Sequence, residues 1–187
     1  MRIIAGQNKG TKLNTLEGND ITRPTLDRVK ESLFSILYPN LENSDVLDLF
    51  GGSGALALEA LSRGANKAVI CDKSFKAIKV IKENVSKTKQ ENNVEILNKD
   101  FELAIKILSE SNKIFDIVFL DPPYKTNYIP KSVKLIIEKG ILKEGGIIVA
   151  ETDELNKILQ QIDDENINIY DIRKYGRVDI IFIKRKG

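Results

Sequence analysis

The chain has 187 residues, of which 42% are hydrophobic and 30% are charged, and its formal net charge is +2. A chain of this length predicts one domain with a full core, and so small a net charge says little about a nucleic-acid partner. Histidine is absent and cysteine occurs once. This excludes a histidine general base, a histidine metal site and an internal disulfide bond, and we expect no metal.

No segment combines the length and continuous hydrophobicity of a membrane span or a secretory signal. The single cysteine, Cys71, falls within a predicted strand, where a small buried hydrophobe is the favoured interpretation. We therefore expect a cytoplasmic protein that does not associate with membranes. A compact domain of this size is expected to be a monomer.

The chain begins with a predicted β-hairpin over residues 1–16 that turns between Gly6 and Gly10, followed by a helix over 25–38. Strand-like and helix-like segments then alternate, which predicts an α/β fold with a mostly parallel sheet and helices on both faces. Strands are predicted near 45–50, 67–72, 93–98, 115–120 and 145–151, helices near 54–64, 74–88, 101–111, 129–139 and 153–163, and a terminal hairpin over 167–175 and 177–184.

A glycine-rich turn connects the first predicted strand of the alternating region to the helix after it. Gly51, Gly52 and Gly54 permit positive φ and close approach of a ligand, and the helix presents unpaired N–H groups at its start. The turn therefore predicts a nucleotide-type cofactor site. The spacing Gly52-x-Gly54-x-x-Ala57, with Asp72 twenty residues after Gly52, also fits a dinucleotide fingerprint, so an NAD-linked oxidoreductase remains an alternative.

Acidic residues lie at the ends of three successive predicted strands, at Asp48, Asp72 and Asp100. Asp48 would repel a pyrophosphate, but it suits the cationic amino group of S-adenosylmethionine. Asp72 suits the ribose hydroxyls of either cofactor. Asp100 suits the adenine amine, with Phe101 against the ring, and a helix N-cap is an equal alternative for Asp100. The predicted cofactor-binding residues are Asp48, Phe50, Gly52, Ser53, Gly54, Asp72, Lys73, Asp100 and Phe101.

The tetrapeptide Asp121-Pro122-Pro123-Tyr124 follows the apolar strand predicted near 115–120. The exocyclic amine of guanine, adenine or cytosine is a poor nucleophile, and acceptors aimed at its N–H groups favour the form with an available lone pair. Asp121 and the Pro122 carbonyl would be such acceptors in a turn that the prolines stiffen. The Tyr124 ring would stack on a base for roughly 1–3 kcal/mol. We predict a catalytic role for all four residues; an ordinary turn is the alternative.

Several longer segments resemble one bacterial family. They are Met1–Gly6, Lys9-Gly10, Arg23–Phe34, Asp48–Leu56, Glu59–Ala65 and Asp121–Tyr124. Together they are similar, over nearly the whole chain, to the RsmD family, whose members methylate N2 of guanine 966 of small-subunit ribosomal RNA. The departures are small: Gly51 stands where the family usually has Ala, Ala57 where it often has Gly, and Asp72 where a Glu is usual.

The resemblance implies a Rossmann-like S-adenosylmethionine-dependent methyltransferase fold with a seven-stranded sheet and an antiparallel last strand. It implies one domain over residues 1–187, with an RNA-contacting extension at 1–40 and a catalytic core at 41–187. The implied reaction is methyl transfer to guanine N2 of 16S ribosomal RNA, within the small ribosomal subunit or an assembly intermediate. Adenine-N6 methylation of DNA or RNA remains an alternative, because the Asp-Pro-Pro-Tyr chemistry does not distinguish exocyclic amines. A non-catalytic RNA-binding scaffold is a further alternative.

Both ends of the chain are basic. Residues 1–40 have six basic against four acidic side chains, and residues 170–187 have six against two. An Arg-Pro-Thr turn leading into a helix would let Arg23 and Arg28 hold RNA phosphates, although Arg28 is equally a candidate structural partner of Asp121 or of a neighbouring acid. The predicted RNA-binding residues are Arg2, Lys9, Arg23 and Arg28.

Overall fold

A computed structural model describes residues 1–16, 24–124, 126–162 and 165–186, with the backbone alone for 24–26. The strands are β1 (Asp45–Asp48), β2 (Lys67–Cys71), β3 (Val94–Leu97), β4 (Phe115–Leu120), β5 (Leu142–Thr152), β6 (Ile167–Tyr175) and β7 (Val178–Arg185). The helices are α1 (Pro24–Leu37), α2 (Ala55–Ser62), α3 (Phe75–Lys87), α4 (Phe101–Glu110), α5 (Tyr128–Glu138) and α6 (Leu155–Gln161), with a 3-10 helix at Tyr38–Asn40.

The strands of the described residues form one seven-stranded sheet in the order β3-β2-β1-β4-β5-β7-β6. Neighbours from β3 to β5 pair in parallel, whereas β7 runs antiparallel to both β5 and β6. The predicted α/β class and the antiparallel last strand are therefore confirmed. The chain order of the strands reverses between β1 and β4, and ligands of open α/β sheets bind outside the carboxyl ends of strands at such a point.

The sheet separates two apolar layers because its central strands are buried on both faces. One layer contains α1, α2 and α3, and the other contains α4, α5 and α6. The helix α3 shows why these segments are helical: Ala77, Ile78, Ile81 and Val85 recur on one face and are buried. Ser74 caps that helix by accepting a hydrogen bond from the Ala77 N–H. Within the described residues, no helix is both long and apolar enough to cross a membrane.

The predicted N-terminal hairpin is smaller than expected. Its two arms run antiparallel, but they form one isolated bridge, between Arg2 and Lys12, rather than strands. The N–H of Ile3 donates to the Thr11 carbonyl at 3.0 Å, and the N–H of Leu13 donates to the Met1 carbonyl at 3.0 Å. The segment is held mainly by the helices beneath it.

Glu59 in α2 is the principal anchor of this N-terminal segment. Its fully buried carboxylate accepts hydrogen bonds from the backbone N–H of Ile4 at 2.8 Å and of Ala5 at 3.0 Å. It also pairs with Lys30 at 3.0 Å and Arg63 at 2.8 Å. A buried carboxylate needs such partners to offset its lost hydration, so the core and the N-terminal segment stabilise each other.

Asn84 in α3 joins the same segment to the glycine-rich turn. Its Oδ1 accepts from the Asn14 N–H at 2.7 Å, and its Nδ2 donates to the carbonyls of Asn14 and Ser53, both at 2.9 Å. This arrangement places Met1, Thr15 and Leu16 in the wall of the cleft at the strand ends. The N-terminal segment therefore forms part of the candidate site.

Candidate active site

A cleft of about 990 Å³ lies at the carboxyl ends of β1, β2, β4 and β5. Its walls come from the strand ends, the glycine-rich turn, α1 and the N-terminal segment. The cleft brings together the predicted catalytic residues and the predicted cofactor-binding residues except Gly54, the last residue of the turn, which does not line it. Gly54 has a left-handed φ of 77° and is the N-cap of α2.

Asp48 is the last residue of β1, and its carboxyl group is buried. Burial raises its pKa to about 7, the Asp72 charge contributes, and the backbone N–H groups of Phe50 and Ala57 oppose the shift. Within the described residues, Asp48 Oδ1 has no hydrogen-bond partner and no ion pair involves this carboxyl. A buried acceptor with unused capacity at a cleft suits a cationic ligand group, such as the amino group of S-adenosylmethionine.

The glycine-rich turn is held against the end of β2. The N–H of Gly51 donates to the Cys71 carbonyl at 2.8 Å, and a Cβ on Gly51 would lie 2.4 Å from Ile70 Cγ2. The N–H of Gly52 donates to Asp72 Oδ2 at 2.9 Å. Asp72 Oδ1 accepts from the Ser74 N–H at 2.8 Å. Asp72 therefore orders the turn, and its contact with a ribose remains a prediction.

Asp100 is the N-cap of α4. Its Oδ1 accepts hydrogen bonds from the backbone N–H groups of Glu102 and Leu103, both at 3.1 Å. The N-cap alternative is thus confirmed. Because Asp100 also lines the cleft and a carboxylate has about four acceptor positions, the cap leaves capacity for an adenine amine, which remains a prediction.

An aromatic cluster lines the cleft beside Asp100. The ring centroids of Phe50 and Phe101 are 5.5 Å apart, and Tyr128 lies 5.9 Å from Phe50 and 5.0 Å from Phe101. The Lys73 ammonium lies 5.8 Å from the Tyr128 centroid. Tyr128, at the start of α5, was not predicted, because nothing in the sequence links it to the cofactor residues that precede β4. Such a cluster suits the planar base of a nucleoside.

Asp121 leaves the sheet directly after β4 and lines the cleft; the residue as a whole is exposed to solvent, while its carboxyl group lies among the atoms of the cleft wall. This environment raises the pKa of Asp121 well above its usual range, first through desolvation and then through the charges of Glu151 and Asp48. Pro122 is buried, and the Thr126 hydroxyl donates to the Pro123 carbonyl at 2.9 Å. The Asp-Pro-Pro-Tyr turn is therefore fixed at the cleft.

Tyr124 is half exposed at the mouth of the cleft, and its hydroxyl donates to Oε1 of Glu151 at 2.9 Å. Desolvation, followed by the Glu151 charge and this hydrogen bond, raises the pKa of Tyr124 above its ordinary value, so the hydroxyl remains a donor at neutral pH. Desolvation also raises the pKa of Glu151, and the Tyr124 hydrogen bond opposes that shift. Glu151 is a site residue that the sequence analysis missed, although it follows the apolar run of β5 as Asp121 follows β4.

Of the predicted RNA-binding residues, the structure describes Arg2, Lys9 and Arg28, and none of these three lines the cleft. Arg2 pairs with Asp27 of α1 at 3.0 Å, and Asp27 lines the cleft. Lys9 and Arg28 are exposed. Among the ion pairs of the described residues, none joins Arg28 to Asp121. The predicted RNA contact Arg23 lies outside the described residues.

The charges of the cleft favour a cationic cofactor over a dinucleotide. Seven acidic residues line it against three lysines, and this surplus of carboxyl groups opposes a pyrophosphate. No group of three or more His, Cys, Asp or Glu residues in the described part of the chain is arranged to hold a metal ion. What the cleft offers is one buried acid for a cation, an aromatic cluster for a base, and acceptors at the ends of β4 and β5.

Comparisons with known proteins agree with this geometry. The family model described as Conserved hypothetical protein 95 matches residues 1–184. The ribosomal RNA small subunit methyltransferase D of Haemophilus influenzae is 37% identical over 155 residues, 82% of this chain and 79% of the relative. The Bacillus subtilis protein YlbH is 36% identical over 189 residues, with both chains fully covered. The solved structure of Escherichia coli YhhF is 29% identical, with 100% and 98% of the two chains covered and a TM-score of 0.84.

Proposed function

Because the chain belongs to the Conserved hypothetical protein 95 family, which is the RsmD family, we propose that it methylates the N2 amine of one guanine in 16S ribosomal RNA, of the position 966 type. It is an RsmD-like, S-adenosylmethionine-dependent rRNA methyltransferase. What we propose beyond this activity is the target itself, namely the guanine base, its N2 amine and its position in the RNA. The observation that carries the proposal is the opening of the Asp121–Tyr124 turn into the same cleft as the buried Asp48.

Bound S-adenosylmethionine supplies an activated methyl group on a cationic sulfur. On this proposal, Asp48 faces the cofactor's amino group, and the turn of Gly52, Ser53 and Gly54 lets its backbone approach. Asp72 meets the ribose hydroxyls, while Asp100 receives the adenine amine within the aromatic cluster. The fit is supported by the unused acceptor capacity of the buried Asp48 carboxyl group at the cleft.

Asp121 and the Pro122 carbonyl accept the two N–H groups of the target amine. This contact favours the pyramidal nitrogen whose lone pair attacks the methyl carbon. Bound S-adenosylmethionine would supply the methyl group and leave as S-adenosylhomocysteine, and Asp121 or water would take the proton that the amine loses. Asp121 also stabilises the positive charge that develops on nitrogen. The protein holds the reacting atoms in line, about 3–3.5 Å apart.

Tyr124 stacks on the base from the mouth of the cleft, where its ring is half exposed. The base must leave its stack to reach the amine site, so a flipped or unpaired guanine is required. Residues 1–40 form the proposed RNA-contacting extension, with Arg2, Lys9, Arg23 and Arg28 on phosphates. The proposed substrate is the small ribosomal subunit or an assembly intermediate in the cytoplasm, and the proposed enzyme is a monomer.

The test is transfer of labelled methyl from S-adenosylmethionine to small ribosomal subunits purified from a strain that lacks this gene, followed by nucleoside analysis. We expect N2-methylguanosine at one site, and no transfer to subunits from the parent strain. N6-methyladenosine would instead establish the adenine alternative. No transfer, with S-adenosylhomocysteine still bound, would overturn the proposed substrate while leaving the cofactor assignment in place. Free 16S RNA assayed in parallel shows whether ribosomal proteins must present the base.

A further inference from the structure

The register of the sheet places a second acidic residue beside Asp121. Leu120 of β4 is the partner of Ala150 in β5. The next residues of these parallel neighbours, Asp121 and Glu151, therefore reach the carboxyl edge of the sheet side by side, and both line the cleft. The backbone of Glu151 is also paired with Ile180 of β7, so its position is fixed by strands on both sides.

The acceptors at this edge remain available to a ligand. The Tyr124 hydroxyl donates to Oε1 of Glu151 at 2.9 Å, and one such bond leaves most of the acceptor positions of a carboxylate unused. In the described part of the chain, no ion pair involves Asp121 or Glu151. Two adjacent carboxyl groups thus face the place where the target base must enter.

The Watson–Crick edges of the bases differ in what they present to such a pair. Guanine has two adjacent donors, N1–H and the N2 amine. Adenine and cytosine place a ring nitrogen with a lone pair next to their exocyclic amine. When one carboxylate accepts the amine, a neighbouring carboxylate therefore accepts a hydrogen bond from guanine but meets a lone pair on adenine or cytosine. Such a repulsive contact is an effective source of specificity, and flipped bases are read along this edge.

We propose that Glu151 accepts the N1–H of the target guanine while Asp121 accepts its N2 amine, so that Glu151 selects guanine over adenine and cytosine. The inference rests on the proposed function and assigns the base selection to a named residue. Tyr124 orients Glu151 through its hydroxyl and stacks on the same base. Glu151 is therefore a substrate-reading residue rather than a general base.

The test compares RNA substrates that carry guanine or 2-aminopurine at the target position, in the free or subunit-assembled form that the wild-type enzyme accepts. 2-Aminopurine keeps the methyl-accepting amine but has a lone pair at N1 in place of the N1–H. The enzymes are wild type, Glu151→Met, which keeps the side-chain length without an acceptor, and Glu151→Gln, which keeps one acceptor. Glu154→Gln is the matched control, because Glu154 pairs with Lys157 at 2.9 Å and does not line the cleft.

We expect wild type and Glu154→Gln to prefer guanine in kcat/KM by about 100-fold, about tenfold from the lost hydrogen bond to N1–H and about tenfold from the repulsion between the Glu151 carboxylate and the N1 lone pair of 2-aminopurine. The preference falls by at least about tenfold in Glu151→Met and by less in Glu151→Gln, while S-adenosylhomocysteine binding shows that each variant is folded. Tyr124→Phe retains the preference, because Glu151 is still present. Equal slowing of both substrates in Glu151→Met, with the preference unchanged, overturns the inference alone. Absence of wild-type transfer to guanine overturns the proposed function and the inference with it.

Discussion

Asp72 Oδ2 accepts a hydrogen bond from the backbone N–H of Gly52 at 2.9 Å, so the acid at the end of β2 holds the glycine-rich turn in place. Its other oxygen accepts from the N–H of Ser74 at 2.8 Å, directly before α3. A residue expected from sequence to meet the cofactor is thus also a structural support. Asp72 is therefore expected to affect cofactor binding in two ways, by contacting the ribose and by holding the glycine-rich turn in its binding conformation.

Asp72→Asn should weaken S-adenosylhomocysteine binding by about tenfold or more and also lower the stability of the ligand-free protein. An amide has one acceptor oxygen, so it cannot accept both backbone N–H groups on separate oxygens, and each lost hydrogen bond costs about 1 kcal/mol. Calorimetric titration and thermal unfolding measure the two effects. Weaker binding with unchanged ligand-free stability would show that Asp72 serves the ribose alone.

The N-terminal segment should be sensitive at Gly6 and much less so at Gly10. Both have left-handed φ values, 82° and 87°, but a Cβ on Gly6 would lie 1.7 Å from the Ser62 carbonyl oxygen, whereas Gly10 has no described atom within 4 Å of its Cβ. Each Ala substitution carries the backbone penalty of about 1–2 kcal/mol. We expect Gly6→Ala to lower the free energy of unfolding by about 2 kcal/mol more than Gly10→Ala, through displacement of the segment from α2.

Urea unfolding of both variants measures this difference. Methyl-transfer activity should also fall further in Gly6→Ala than in Gly10→Ala, because Met1, Thr15 and Leu16 of the same segment line the cleft. Equal losses of stability in the two variants would mean that the segment does not contribute through its contact with α2.

Asp48 should make the ligand-free protein less stable as pH rises. Its pKa is raised from 3.8 to about 7 by burial, so the folded state binds a proton that the unfolded state has already released. The stability from this group is full below about pH 4 and is lost as pH rises through about 7. Replacing it by Asn removes that loss. The free energy of unfolding of Asp48→Asn relative to wild type should therefore increase between pH 4 and pH 8, by an amount on the order of a few kcal/mol.

Urea titrations of both proteins across this pH range measure the difference, and a pH-independent difference would contradict the assignment. The same variant should bind S-adenosylhomocysteine more weakly above about pH 7, where the wild-type Asp48 is ionised, and the difference should shrink at lower pH. An amide cannot supply the negative charge that the cofactor's amino group requires.

The ring and the hydroxyl of Tyr124 should contribute separately to substrate engagement. Tyr124→Phe removes the hydrogen bond to Glu151 and keeps the ring, so we expect a loss of about tenfold or less in kcat/KM for RNA. Tyr124→Ala also removes stacking, which is worth about 1–3 kcal/mol per base, and should lose at least a further tenfold. Steady-state kinetics of both variants on the small subunit separate the contribution of the ring from that of the hydroxyl. A Phe variant as impaired as the Ala variant would assign the whole effect to the hydroxyl.

The order of elements could be predicted because each central strand is an apolar run bounded by polar residues, and the acids that end β1, β2 and β4 mark the carboxyl edge. The antiparallel β7 could be predicted from the terminal Gly176 turn. The small extent of the N-terminal hairpin could not be predicted, because the conformation of this segment depends on contacts with Glu59 and Asn84 rather than on pairing between its own arms.

Glu151 was missed for a related reason. A single Glu after an apolar strand does not reveal its neighbour, because the pairing of Leu120 with Ala150 is a tertiary register. Only that register brings Glu151 beside Asp121 and within reach of the Tyr124 hydroxyl. In the same way, Asp100 was ambiguous from sequence, since N-caps and ligand-binding acids both occur where a strand meets a helix.

The division of the cleft into a cofactor half and an amine half is tested most directly by Asp121→Asn, in which the amide presents a donor where the carboxylate had an acceptor. The measurement is the single-turnover rate of methyl transfer to the small subunit, together with S-adenosylhomocysteine affinity in the same preparation. We predict an affinity within about threefold of wild type and a rate lower by about 100-fold, which is about 2.7 kcal/mol of transition-state stabilisation. An affinity that falls as far as the rate would contradict the account, because Asp121 would then belong to the cofactor half.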